Sequence, residues 1–151
     1  MATVILACCI LLVASTVLHY EALRTLHVRL PRLRIPHRTK LLVVMAGAFL
    51  AHGAEILMFG TAMYVLILWG GAGSLGSAKP SLTNCMYLSA ETYTSLGFGD
   101  LTPTGPVRLL AGTEALLGLL LIGWSASFTY IAMERFWNDR HTAHPDEIAQ
   151  Q

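Results

Sequence analysis

Three long stretches of the chain carry almost no charge, and the polar residues gather between them. Residues 2–18 hold no charged side chain, 41–69 hold only Glu55 beside the ionisable His52, and 109–133 hold only Glu114. A helix needs about 20 residues to cross a hydrocarbon core of roughly 30 Å, so each stretch predicts a spanning helix. A fourth apolar segment, 82–93, is too short to span and predicts a re-entrant helix. The segment 70–81, GGAGSLGSAKPS, reads as a flexible external turret. Ser81 or Thr83 then offers a cap for the short helix. Pro103, Gly105 and Pro106 interrupt the chain before the last helix.

The expected plan is therefore all-α. An additional N-terminal transmembrane helix lies within 1–22 and a basic linker covers 23–40. An outer helix follows at 41–69, a short helix at 82–93, an irregular loop at 94–100, an inner helix at 105–134 and a short tail at 135–151. The first apolar run has no Lys or Arg ahead of it, so it predicts a retained helix rather than a cleaved leader.

Composition sharpens this reading. Of 151 residues, 54% are hydrophobic and 13% charged, against about a quarter charged in soluble domains. That excludes disorder for most of the chain. The net charge of +1 gives no reason to expect nucleic acid, but its distribution is informative. Arg24, Arg29, Arg32, Arg34, Arg38 and Lys40 are six of the ten basic residues. By the positive-inside rule this segment faces the cytoplasm, which puts the N-terminus outside and the C-terminal tail inside at the plasma membrane. Pro31 and Pro36 keep it from being one helix, and its charge offers a contact for anionic lipid at 24–40. Cys8, Cys9 and Cys85 show no metal-ligand or disulfide spacing.

The stretch ETYTSLGFGDLTP, residues 91–103, carries the chemistry. Irregular backbone at membrane depth is tolerated only where protein buries it or it lines water. A dehydrating cation would satisfy its carbonyls. Gly97 and Gly99 permit left-handed backbone at alternate positions, which turns successive carbonyls towards one axis. Leu96 and Phe98 would then point away and wedge the loop against its own short helix. The negative end of that helix's dipole also favours a cation. One loop cannot encircle an ion, so a closed ring of identical subunits is expected.

The run Thr94-Ser95-Leu96-Gly97-Phe98-Gly99-Asp100 resembles the selectivity filter of the potassium channel family, Thr-Val-Gly-Tyr-Gly-Asp preceded by another Thr. Upstream, Ser89-Ala90-Glu91-Thr92-Tyr93 resembles the pore helix of an acid-activated bacterial member. Downstream, Arg108 and Gly118 resemble an arginine at the top of the inner helix and a gating hinge. The resemblance covers roughly 41–134. It implies a homotetrameric channel built on a two-helix pore unit, with a pore helix at 82–93 and a filter at 94–100, so that the N-terminal helix makes three transmembrane helices per chain. The filter residues would be Thr94, Ser95, Leu96, Gly97, Phe98 and Gly99, with K⁺ held at Ser95, Leu96, Gly97 and Phe98 and no other cofactor. Ser95, Leu96 and Phe98 depart from the family's Thr, Val and Tyr. A weakly selective cation channel and a non-conducting sensor or accessory subunit stay open beside the selective one.

On the same resemblance Glu91 and Asp100 support the filter by sharing a proton behind it, since two close carboxylates do not both ionise cheaply. A solvated Asp100 at the mouth is the plainer alternative. Ala115, Leu119, Ile122 and Ala126 share one helix face, which the family plan turns into the cavity lining. Gly118 serves either as a hinge or for close helix packing.

His52, Glu55 and Glu114 are ionisable groups inside spanning segments, which are costly and usually functional. At about 1.5 Å per residue they reach nearly one depth. They are expected to join the outer and inner helices, either as a proton-sensitive latch or as a permanent network. Spaced arginines for a voltage sensor are absent from the sequence, as are P-loop, GxSxG and HExxH motifs. The His52/Glu55 pair lacks a third ligand in the sequence pattern, so an enzyme is not expected.

Overall fold

The computed structural model describes residues 1–142. Helix α1 spans Ala2–Arg29 and is followed by one 3₁₀ turn at Leu30–Arg32. Helix α2 spans His37–Leu68, α3 spans Leu82–Tyr93, and α4 starts at Val107 and runs to Thr142. Among the described residues there is no strand, only two isolated bridges. α1, α2 and α4 are each long and apolar enough to cross a membrane. The last residues of the expected tail, 143–151, lie outside the described residues.

α1 lies against both α2 and α4, and the short α3 is held between α2 and α4. The core joins Val4, Cys8 and Leu11 of α1 to Phe59 and Met63 of α2, Cys85 and Leu88 of α3, and Leu110 and Leu117 of α4. The buried face of α1 is Val4, Cys8, Leu11, Ser15, His19 and Leu23, spaced three or four residues apart as one helix face requires. A smaller cluster at the other end packs Leu30 and Val44 with Phe128 and Ala132.

Two expectations are corrected. The basic segment is not a linker from residue 23. α1 continues through Arg24 and Arg29, and the helical path breaks at the two prolines. Pro31 sits in the first turn of the 3₁₀ segment and Pro36 is the N-cap of α2, positions where a missing N–H costs nothing. The turret, expected to be flexible, is pinned. Ser74 and Thr104 exchange two backbone hydrogen bonds, 3.3 and 2.9 Å, and pair their hydroxyls at 2.8 Å. The Val107 N–H donates to the Ala72 carbonyl at 2.9 Å, and Leu75 is buried in the core. These bonds fasten the segment before α3 to the loop after it. Of the two candidate caps for α3, Ser81 takes the role, its hydroxyl accepting from the Asn84 N–H at 3.1 Å.

Candidate functional site: a left-handed loop and a buried polar cluster

The loop after α3 begins as a helix ending. The Ser95 N–H donates to the Thr92 carbonyl at 3.0 Å and the Leu96 N–H to the Glu91 carbonyl at 2.9 Å. This pair of bonds is the Schellman motif, which places the residue after the cap in left-handed backbone. Ser95 occupies that place with φ of 56°. Gly97 and Gly99 follow at φ of 55° and 82°. The backbone is thus left-handed at every second residue. A methyl group on Gly97 or Gly99 would meet nothing within 4 Å, so handedness, not crowding, accounts for the glycines.

Side chains of α3 brace the loop. Glu91 is 4% exposed, and its carboxylate accepts the Phe98 N–H at 3.3 Å. Asp100 instead accepts the Tyr87 hydroxyl at 3.3 Å. Among the described residues no hydrogen bond joins Glu91 to Asp100. Tyr87 interacts with both carboxylates, and its phenol is pushed up to about 12 by desolvation and by Glu91 and Asp100. It therefore stays a donor across the physiological range. The Thr94 hydroxyl donates to the Ala90 carbonyl at 2.7 Å. Leu96 and Phe98 were expected to wedge against α3, but they are 60% and 68% exposed. The described residues therefore leave both side chains largely uncovered.

The sequence profile of the ion channel family matches residues 52–135, which takes in the C-terminal half of α2, α3, the loop and most of α4. The chain belongs to the ion channel family. Protein LctB of Geobacillus stearothermophilus is 35% identical over 74 residues, covering 43% of this chain and 55% of that protein. The inward rectifier potassium channel Kirbac3.1 of Paramagnetospirillum magnetotacticum is 29% identical over 101 residues, covering 66% of this chain and 34% of that protein. The channel chain thus aligns with about half of the first relative and about a third of the second. No solved structure matches it.

Behind the loop lies a buried polar cluster. Glu55 and His19 are fully buried, and His52 is 18% exposed through its side chain. His19 Nδ1 stands 2.9 Å from one Glu55 oxygen, and His52 Nδ1 stands 3.3 Å from the other. Tyr93, the last residue of α3, donates its hydroxyl to Glu55 and lies 2.7 Å from His52 Nδ1. His19 Nε2 meets the Ser125 hydroxyl at 3.2 Å. Four helices of the channel therefore converge here. Among the described residues Glu114 makes no hydrogen bond to His52 or Glu55, so the expected three-residue cluster is not one hydrogen-bonded group. Its carboxylate takes the Ser89 hydroxyl, which also reaches the Ile56 carbonyl at 2.8 Å. α2 and α4 are thus joined through Ser89 of α3, one helix turn above Tyr93.

His19 escaped the sequence reading because it lies just beyond the chargeless run 2–18. Its one signal is position: it continues the α1 face at four residues after Ser15. Tyr93 was read only as part of the short helix, and Ser125 gave no signal within the last apolar run.

Ala115 is half-buried, while Leu119, Ile122 and Ala126 are exposed on the single chain. Ile122 and Ala126 line a groove between α2 and α4, with Met45, Phe49 and His52 opposite them. At Gly118 the geometry favours packing. An added Cβ would lie 2.1 Å from the Tyr93 carbonyl oxygen, against backbone that cannot rotate away. Gly118→Ala is expected to destabilise the protein by about 3 kcal/mol, the upper end for overpacking. Gly123→Ala, with open space around it, is expected to be neutral. Thermal melting of both purified variants checks this. Normal melting of Gly118→Ala with altered open probability would favour a hinge.

Proposed function

We propose that the protein is a potassium-selective channel that conducts K⁺ passively through a homotetrameric pore in the plasma membrane. The observation that carries this reading is the left-handed backbone at Ser95, Gly97 and Gly99. Alternating handedness turns successive carbonyls to one side, which is what a ring of carbonyls replacing a hydration shell needs. The carbonyls of Ser95, Leu96, Gly97 and Phe98 would hold K⁺, with Thr94 at the inner end. The exposed Leu96 and Phe98 fit a ring in which neighbouring copies cover them. The likeness to a potassium channel, Kirbac3.1, supports the choice of ion.

The basic segment from Arg24 to Lys40 would face the cytoplasm, with the N-terminus outside and the tail inside. Arginines there are placed to meet anionic headgroups. The experiment is the reversal potential of purified protein in a planar bilayer, with K⁺ on one side and Na⁺ on the other. A value near the K⁺ limit is expected. A value near zero would mean that Ser95, Leu96 and Phe98 have loosened the filter into a weakly selective one. No current at any pH would favour a non-conducting sensor or accessory subunit.

A further inference from the structure

We propose that His19, His52 and Glu55 form a binding site for a divalent transition-metal ion of the zinc class, which clamps α1 to the rest of the chain. Each residue offers one ligand atom, and the three atoms lie within 4.8 Å of one another. Adjacent vertices of a tetrahedral site with metal–ligand bonds of about 2.0–2.1 Å are roughly 3.3 Å apart. His52 Nδ1 stands 3.3 Å from one Glu55 oxygen and His19 Nδ1 stands 2.9 Å from the other, so either oxygen can bind as the third ligand with a small expansion. The Tyr93 hydroxyl, which donates to Glu55 and lies 2.7 Å from His52 Nδ1, braces two of the ligands, and a water would complete a four-coordinate set.

The chemistry of the donors selects the ion. Two imidazole nitrogens with one carboxylate suit zinc, copper, nickel or iron, whereas K⁺, Mg²⁺ and Ca²⁺ prefer oxygen alone. The site is supported from behind. Ser125 meets His19 Nε2, so its hydroxyl oxygen can accept the ring hydrogen there when Nδ1 turns its lone pair to a metal in place of its hydrogen bond to Glu55. A buried carboxylate facing two imidazoles offers a cation an anionic ligand beside two nitrogen ligands. An entry path exists. His52, the one partly exposed ligand, lines the groove between α2 and α4, a space of about 550 Å³ that Ser125 also lines.

The ligands bridge two otherwise separate parts. Glu55 and His52 lie within the residues that the channel profile matches, while His19 comes from the helix ahead of it. A bound metal would therefore fasten the additional helix beside Tyr93, at the root of the left-handed loop. This site is independent of ion conduction.

The test is a Co²⁺ titration of the full-length protein, purified in detergent and stripped with a chelator. One equivalent per chain is expected to give the intense visible bands of four-coordinate Co²⁺, and Zn²⁺ is expected to displace them. His19→Gln and His52→Gln keep hydrogen-bonding side chains and are each expected to weaken binding roughly tenfold or more. A variant with His27, His37, His141 and His144 all changed to Gln is expected to bind as wild type does. Zn²⁺ is also expected to raise the melting temperature of wild type and not of His19→Gln. Absence of the bands in folded wild-type protein overturns the site. So does survival of full-strength binding in both single variants, or its loss in the fourfold variant.

Discussion

Gly97→Ala is expected to abolish conduction while leaving the helices folded. Gly97 has φ of 55°, and a methyl group there would touch nothing within 4 Å of its own chain. The cost is therefore conformational. Left-handed backbone costs an L-residue roughly 1–2 kcal/mol, and a ring of four copies would bear that four times, roughly 4–8 kcal/mol per pore. Against a tenfold change for each 1.4 kcal/mol, that is enough to empty the conducting state. Relaxation of the backbone would swing carbonyls off the axis and leave α1, α2 and α4 untouched. Flux of K⁺ into liposomes, read beside circular dichroism, checks both halves. A D-alanine at position 97 accepts the left-handed backbone and is expected to restore flux. Wild-type flux through Gly97→Ala would show that handedness at this position is not what positions the carbonyls.

Glu55→Ala is expected to be the most damaging single change to stability. Glu55 is fully buried and meets His19, His52 and Tyr93 at once, from three different helices. Hydrogen bonds inside membrane proteins average roughly 0.6 kcal/mol each, so three bonds alone account for about 2 kcal/mol. Removal of one member of a buried charged network costs more, about 3–5 kcal/mol, because the partners stay buried and unpaired. The larger figure should hold, since His19 is fully enclosed and keeps only Ser125. Glu55→Gln retains an acceptor oxygen and is expected to lose less than half as much. Thermal unfolding in detergent, with wild type and both variants in parallel, measures the difference. Equal melting temperatures for Glu55→Ala and wild type would mean that the cluster contributes nothing to holding α1 and α3 in place.

The polar groups behind the loop show where a one-dimensional reading stops. His52 and Glu55 are three residues apart on one helix, and their pairing follows from helical geometry. Helical rise sets the depth of Glu114 beside that of Glu55 but carries no information on azimuth. Glu114 faces Ser89, while Glu55 faces His19 and Tyr93. Similarly, Glu91 and Asp100 flank the same loop in sequence, yet Glu91 braces Phe98 and Asp100 meets Tyr87. Partner choice in each case depends on rotation about helix axes and on loop path, neither of which hydropathy encodes.

The sequence by itself determined the class of molecule. Three apolar runs required spanning helices, because a dry core leaves no other way to satisfy the backbone over that length. Gly97 and Gly99 required unusual backbone between a short helix and a long one, and Asp100 and Glu91 marked that place as polar. Only the tertiary structure decided what the additional helix does. His19 lies 36 residues from Glu55 and 106 from Ser125. No local preference links such positions. They meet because α1 presents the face from Val4 to Leu23 to α2 and α4, and burial of that apolar face carries one histidine into the core with it. Gly118 was settled in the same way. Its role came from the Tyr93 carbonyl pressing on it, a contact between two helices that the sequence places 25 residues apart.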